Sequence, residues 1–410
     1  MLREMAGTVQ HKRMTKVLYL SFNDPDLSPG VLRKEREFCE FCHEIGKSHG
    51  IEFHGLCIVA SVKRESETIS FGKCYTIKKV PSGPYRFFSR IPIFCSLFRT
   101  RPVFDQAYGD IGRLEPDVVI WRYTVTTVPG IFNPKKIRPG LRFITEHQAK
   151  EAEELRVTPA GRALYPVIGH MGKRVLSLVD AVIGVTSEIT DYELSLIGRD
   201  IPSFTLTNSI DVDLYPLKRH REMKDNTLKL LYVGSNTSEW HGLDRILKGM
   251  AGYQGGITLE LHLAGSVSSS IKNLISSLHI EDRINAHGYV TGRDLDALFD
   301  NADVAVGTLG MHRKNLSQGS TLKVREYMAR GMPFVISYAD DDLSPGLPYV
   351  FMAPPDDSPI DMQALVRFIL DLHSSGNEIP EIMRIYAREH MDYQVKVVRL
   401  MDFISSLVKQ

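Results

Sequence analysis

The chain has 410 residues, of which 43% are hydrophobic and 24% charged, and a formal net charge of +1. That length exceeds one ordinary compact core and fits two domains of roughly 150 to 250 residues each, and the composition is that of a globular rather than a disordered protein. A charge so near zero gives no electrostatic reason to expect a nucleic-acid partner, so any anion site has to be local.

The opening stretch MLREMAGTVQHKRMTK lacks the apolar core of a secretory signal. No run reaches the roughly 18 to 20 apolar residues of a membrane span. The five cysteines, Cys39, Cys42, Cys57, Cys74 and Cys95, are odd in number and confined to the first quarter of the chain, as expected of reduced thiols in a cytoplasmic protein. Cys39 and Cys42 form a CxxC inside EREFCEFCHEIG, whose apolar spacing predicts a helix interior. With no second cysteine pair to complete a zinc site, buried helix positions are the better reading.

Taken in order, KVLYLSF (16–22) predicts a strand, the turn-rich NDPDLSPG a loop, and VLRKEREFCEFCHEIGKSHG a helix. GLCIVAS (55–61), PDVVIW (116–121), FITEH (143–147) and AVIGVTS (181–187) read as further buried strands separated by helix-length segments. A second series runs through LKLLYVGS (228–235), TLELHLAG (258–265), INAHGYV (284–290), ADVAVGT (302–308) and MPFVISY (332–338), with helical patterns such as LDRILKGMAGY between them. Such alternation predicts α/β architecture with parallel sheets covered on both faces. We expect an amino-terminal Rossmann-like domain over 1–215, a polar linker over 216–227 and a second Rossmann-like domain over 228–380. A last helical segment follows over 381–410.

The most informative stretch is KNLSQGSTLKVREYMARGMPFVIS (314–337). A polar loop leads through Gln318, Gly319, Ser320 and Thr321 into a helix that Ser320 can cap and Gly331 can close. The unsatisfied N–H groups of a helix start favour an anion, and Lys323 adds a full charge there. Glu326 falls on the same face three residues later, so a nucleotide diphosphate can lay its phosphates near Lys323 and its ribose diol against Glu326. The plainer alternative is an amphipathic helix with a solvated Lys–Glu pair, worth only about 0.2 to 0.5 kcal/mol.

The segment from Ser320 to Pro333 resembles the donor-site signature of glycosyltransferase family 4 and its GT-B relatives. That family often carries two glutamates separated by seven residues. Glu326 stands at the second, ribose-holding position, and Gln318 replaces the first. LTNSIDVDLYP (206–216) resembles the family's turn into the linker. LYVGSNTSEWHGLDRIL resembles its strand and glycine loop, with Gly234, Ser235, Asn236, His241 and Gly242 near the donor. HGYVTGRDLDALFDNADVAV resembles the block that holds the base through backbone around Gly288 and Val290, and SPGVLRKERE resembles a donor-facing loop with Gly30 as its close-approach glycine.

The resemblance implies a GT-B fold, with two facing Rossmann-like domains, an interdomain cleft, the acceptor side on the first domain and the 381–410 helix returning to it. It also implies a retaining sugar transfer from a nucleotide-diphosphate sugar, the co-substrate, to a saccharide or lipid-linked saccharide, as in assembly of bacterial surface polysaccharides. Donor-site candidates are Gly319, Ser320, Thr321, Lys323 and Glu326, with Lys323, Gln318 and His147 nearest the chemistry. His147, at a strand end, stands where relatives present a residue to the sugar; an isolated histidine is also commonly a core-satisfying group, and both readings stay open. No metal site or resident cofactor is expected, since Asp24 and Asp26 and the run Asp340 to Asp342 read as solvated loop acids. The substitution at Gln318 keeps a non-catalytic nucleotide-sugar-binding subunit in view as the alternative, beside an epimerase on the same fold.

Segment 81–102, PSGPYRFFSRIPIFCSLFRTRP, interleaves aromatic and aliphatic residues with four arginines and has no acid. It suits peripheral contact with an anionic membrane surface, which would put the protein at the membrane's inner face. It equally suits a helix that buries its aromatics on its own sheet.

Overall fold

The computed structural model describes residues 13–22, 29–61, 66–81, 92–124, 132–156, 159–219, 226–234, 237–374, 376 and 378–409. The chain divides into two compact units. The first comprises Met1–Gly184, Ile189–Phe204 and Val397–Gln410; the second comprises Val185–Glu188 and Thr205–Lys396.

In chain order the first half provides β1 (Thr15–Ser21), α1 (Pro29–Ser48), β2 (Ile51–Ser61), β3 (Glu67–Phe71), β4 (Tyr75–Pro81), α2 (Pro92–Leu114), β5 (Val118–Arg122), β6 (Arg142–His147), α3 (Glu151–Leu155), α4 (Pro159–Leu176), β7 (Ala181–Gly184), α5 (Ser187–Ile197) and β8 (Ser203–Thr205). The strands form one sheet in the order β3-β4-β2-β1-β5-β6-β7-β8. Pairing is parallel from β4 through β7, and β3 runs antiparallel to β4. All five residues of β5, VVIWR, are buried, as expected of a central strand covered on both faces. Leu18, Leu20, Ile58, Val119, Trp121, Phe143 and Val182 pack with Phe104, Ala107 and Ile111 of α2 into one core.

Cys39 and Cys42 are both buried in α1, and burial pushes their thiols well above the ordinary range. The CxxC is therefore a packing feature. Residues 82–91 of the basic aromatic segment, and the side chains through 100, lie outside the description; the backbone of α2 begins at Pro92 and carries Pro102 within it. Among the described residues no helix is long and apolar enough to cross a membrane.

The second half provides β9 (Thr227–Val233), α6 (Leu243–Gly252), β10 (Thr258–Ala264), α7 (Ser269–Leu278), β11 (Ile284–Gly288), α8 (Gly292–Asp300), β12 (Val304–Val306), α9 (Leu322–Arg330), β13 (Phe334–Ile336), β14 (Val350–Met352), α10 (Met362–Ser374), α11 (Ile379–His390) and α12 (Tyr393–Lys409). Its sheet is parallel throughout, in the order β11-β10-β9-β12-β13-β14. Leu228, Leu230, Leu261, Leu263, Val304, Val306 and Val335 meet Ile246, Leu247 and Met250 of α6 and Leu365 and Ile369 of α10 in a second core.

Strands occur at all ten stretches that the apolar runs indicate. The β3–β4 hairpin, β8 and β14 had no such signal: β8 and β14 are three residues each, and no residue of β3 is buried. Of the expected linker 216–227, residues 220–225 lie outside the description. The rest is anchored within the second unit, through Lys218 Nζ to the Ala302 carbonyl at 2.8 Å and Arg219 N to Asp300 at 2.8 Å.

Candidate functional site

Parallel strands end together, so the carboxy-terminal ends of β9, β10 and β11 bring Gly234, Gly265 and Gly288 side by side. Gly234 N donates to the Ala264 carbonyl at 2.9 Å, and Gly265 N donates to the Gly288 carbonyl at 2.6 Å. Gly265 has φ +128°, and a Cβ on it would lie 1.7 Å from the Gly234 carbonyl oxygen. Only glycine fits there, and the result is a bare backbone shelf of the kind that admits a ligand closely. Beyond it Gly288 is exposed, Val290 is half-buried, and Tyr289 between them is 86% exposed. Ser235 and Asn236, also named from the sequence, lie outside the described residues.

The helix start differs from the expectation in one respect. Thr321, not Ser320, is the N-cap of α9, and its side chain makes no capping hydrogen bond, pairing instead with the Tyr338 hydroxyl at 2.9 Å. Ser320 is drawn away by Asn208, whose N–H donates to Ser320 Oγ at 2.8 Å and whose amide donates to the Ser320 carbonyl. The first-turn N–H groups of α9 thus keep no cap side chain of their own, which suits an anion at that end. Gly319 N is held by the Ala339 carbonyl at 2.9 Å. At the far end Gly331 closes α9 with φ +70°, in the left-handed region.

Lys323 does not pair with Glu326. Its Nζ lies 3.3 Å from His241 Nδ1 and 4.0 Å from the centre of the Tyr232 ring, a cation–π contact, and 3.1 Å from where a Cβ on Gly234 would stand. Lys323 is half-buried, and this desolvation pushes its ammonium down to about 7. His241 is buried at the end of a short 3-10 turn (Glu239–His241) closed by Gly242 at φ +66°. Burial, together with Lys323 and Lys314, pushes its imidazolium down to about 3, so it stays neutral at pH 7. With Lys323 donating to Nδ1, the hydrogen of His241 sits on Nε2, ready to donate to a ligand oxygen. Among the described residues no carboxylate neutralises the charge of this lysine, which is what a diphosphate would supply.

Glu326 accepts from Arg330 Nε at 2.8 Å, and Arg330 in turn reaches Asp296 at 2.8 Å and packs on Phe299. Gln318 accepts through its carbonyl oxygen from Glu188 N at 2.7 Å and Ser187 Oγ at 2.9 Å. Asp341 binds the same Ser187 and Glu188 binds Gln318 N, so two carboxylates already surround this position. A glutamate here would add a third negative charge, and the neutral amide supplies the acceptor without it. Of the acids at 340–342 only Asp341 is exposed: Asp340 is buried, and with the half-buried Asp342 it clamps the fully buried Arg325, which also donates to the Asn208 carbonyl at 2.9 Å. Arg325, Asn208, Tyr232 and Glu188 are the residues that motif reading missed. Their partners lie 15 to 130 positions away in sequence, and no local spacing reveals them.

In the first unit, His147 ends β6 with 0% exposure. Its Nδ1 faces Glu151 at 3.0 Å and Glu193 at 3.5 Å, the Tyr123 ring lies 4.9 Å away, and Nε2 is buried without a partner. Burial alone would depress the imidazolium, but Glu193 and Glu151 outweigh it and hold it up at about 9. These three side chains also lie close enough to hold a metal ion, their ligand atoms all within 4.8 Å of one another. A charged imidazole between two carboxylates accounts for the same geometry. Gly30 falls in the first turn of α1 rather than in a loop, exposed, and a Cβ there would meet nothing within 4 Å.

Residues 227–371 match the family model described as Glycosyl transferases group 1. A search of curated proteins gives no match. Among solved structures, a sucrose-phosphate synthase from Thermosynechococcus elongatus superposes with a TM-score of 0.69 at 13% identity, covering 96% of this chain and 99% of the other. A lipopolysaccharide outer core galactosyltransferase in its apo form gives 0.64 at 13% identity, over 96% and 99%. The Anabaena protein HepE, solved in complex with UDP and glucose, gives 0.64 at 13% identity, over 96% and 100%.

The fold is GT-B. Within this GT-B chain the matched segment contains all of the second-unit site residues from Gly234 to Glu326.

Proposed function

We propose that the chain is a glycosyltransferase that moves a sugar from a nucleotide-diphosphate donor to a saccharide or lipid-linked saccharide acceptor, with retention of anomeric configuration. One observation carries the reading: Lys323, in the first turn of an uncapped helix and beside the glycine shelf, is half-buried and, among the described residues, has no carboxylate partner. In glycosyl transfer the anomeric carbon becomes cation-like while negative charge grows on the departing diphosphate. Lys323, the α9 N–H groups and His241 Nε2–H are placed to stabilise that charge without a resident cofactor, and Glu326 to accept the ribose hydroxyls. The UDP complex of a structural relative supports UDP as the first nucleotide to try. Cytoplasmic placement, membrane contact through 81–102 and the lipid-linked form of the acceptor belong to the same proposal.

The test is calorimetry and thermal shift of the purified protein against UDP, GDP, ADP and dTDP and their sugar conjugates. A selective nucleotide at a hundredfold excess over its dissociation constant should stabilise the fold by about 2.7 kcal/mol. Lys323→Ala and Glu326→Ala should each weaken that binding while shifting the melting temperature little. No response to any nucleotide would favour a non-catalytic role for the fold; unchanged affinity in both variants would remove the phosphate and ribose assignments.

A further inference from the structure

Arg330, the last residue of α9, is held far more closely than an ordinary helix ion pair requires. Its side chain is only 6% exposed. Nε donates to Glu326, one turn earlier on α9, at 2.8 Å, and a terminal nitrogen donates to Asp296 of α8 at 2.8 Å. The guanidinium carbon lies 4.3 Å from the centre of the Phe299 ring, also on α8, and 5.3 Å from that of Tyr215. We infer that Arg330 is a positioning residue: it fixes the Glu326 carboxylate against α8 and so makes the donor site select ribonucleotides over deoxyribonucleotides. The inference rests on the glycosyl-transfer reading above.

A solvated pair at this helical spacing is loose and contributes little. Burying a guanidinium is costly unless its charge and its N–H groups are both met, and here two carboxylates and two aromatic rings meet them. Only arginine suits the position, because its fork reaches two carboxylates at once while its plane packs on a ring, and a lysine ammonium does neither. Within this triad two carboxylates share one guanidinium. One unit of negative charge is left over, so Glu326 keeps its strength as an acceptor. The bond from Arg330 occupies one of about four lone-pair positions on the carboxylate, and the vicinal hydroxyls of a ribose ask for two.

The partners of Arg330 give this positioning its consequence. Helix α8 follows directly on the exposed turn around Gly288, with Thr291 as its N-cap, and α9 carries Lys323 three residues before Glu326. Arg330 therefore ties the carboxylate to the helix that continues from the glycine shelf, while Lys323 stands on the carboxylate's own helix. A nucleoside and its phosphates thus meet groups of fixed spacing. An acceptor held in place beforehand rejects the analogue that lacks the matching hydroxyl. A carboxylate that had to be ordered on binding would lose much of that gain.

The experiment is calorimetry of the full chain with three matched pairs, UDP, GDP and ADP and the 2′-deoxy form of each, and with inorganic pyrophosphate. Wild type is compared with Arg330→Gln, Asp296→Asn and Lys323→Ala. At least one ribonucleotide should bind the wild type about tenfold or more tightly than its deoxy partner. In Arg330→Gln that ratio should fall below about threefold through weaker binding of the ribonucleotide, with pyrophosphate affinity kept within about twofold. Asp296→Asn removes only the α8 anchor and should give an intermediate ratio; it carries the test if Arg330→Gln does not fold. Lys323→Ala should weaken both members of a pair and pyrophosphate alike and leave the ratio as it was, which a general loosening of the site would not do. A ratio unchanged in the Arg330→Gln protein, or in Asp296→Asn where that protein does not fold, overturns the inference, as does a wild type that binds both members of every pair equally. Nucleotide binding in those cases leaves the donor reading standing, whereas binding of no nucleotide at all overturns both.

Discussion

Lys323 is half-buried and His147 fully buried, and they titrate in opposite directions because, among the described residues, only His147 has carboxylates beside it. The Lys323 amine has an ordinary value of about 10.4 in an unfolded chain and about 7 in the fold. Between those values the unfolded chain holds more protons, so this residue makes the unliganded protein gain stability as pH rises from about 7 to about 10. A bound diphosphate favours the ammonium, so donor binding above pH 7 should take up a proton and weaken as pH rises. Calorimetry of UDP binding at pH 8, in buffers of different ionisation enthalpy, measures that uptake; Lys323→Arg should abolish it. His147 is the converse. Removing its imidazole with His147→Ala strands Glu151 and Glu193 in a buried site, and we expect a loss of about 3 to 5 kcal/mol in denaturant unfolding, partly restored by adding Glu193→Gln. The motif stretch 314–337 was legible residue by residue because the helix-start chemistry lies within a dozen positions. The clamp on Arg325 and the neutralising role of Gln318 were not, since each depends on residues that only the fold brings near.

At the scale of elements, α9 is the piece whose ends do most for the site. Its start offers uncapped N–H groups, and its end turns on Gly331, where a Cβ would approach Pro380 Cα to 2.3 Å. Gly331→Ala should therefore cost more than the roughly 1 kcal/mol of an unfavourable left-handed residue, because the backbone must also move away from Pro380. A melting temperature lowered by several degrees would register it; a neutral result would mean that α11 yields easily. The long buried strands of both sheets were readable because each is a run of apolar residues bounded by turns. The cap of α9 was misplaced by one residue because serine and threonine are both good caps, and only Asn208 decides between them.

For the whole molecule, the division into units does not follow the order of the chain. Val185–Glu188 belongs to the second unit and Val397–Gln410 to the first. Composition marks only the boundary near 215, because polar linkers leave a compositional trace and a returning segment leaves none; the return of the 381–410 helix is expected from the family resemblance alone. Within the first unit Phe403 stacks on Phe204 at 5.2 Å between ring centres, and Leu400, Met401, Ile404 and Leu407 are buried. Losing about 1.5 to 3 kcal/mol for each such side chain is more than a marginally stable unit can absorb. A chain ending at Lys396 should accordingly lose hydrogen-exchange protection in β1, β2 and β5 while keeping it in β9 and β10. Equal protection in both sheets would contradict this.

The placement of Val397–Gln410 also bears on the order of events at the ribosome. A unit that begins the chain would ordinarily be finished long before the next one emerges. Here the first sheet can be threaded early, yet the helical segment Val397–Gln410 that belongs to the same unit and covers Phe204 is translated only after the second unit. The nascent first unit must therefore wait, with apolar surface still uncovered, through the synthesis of about half the protein.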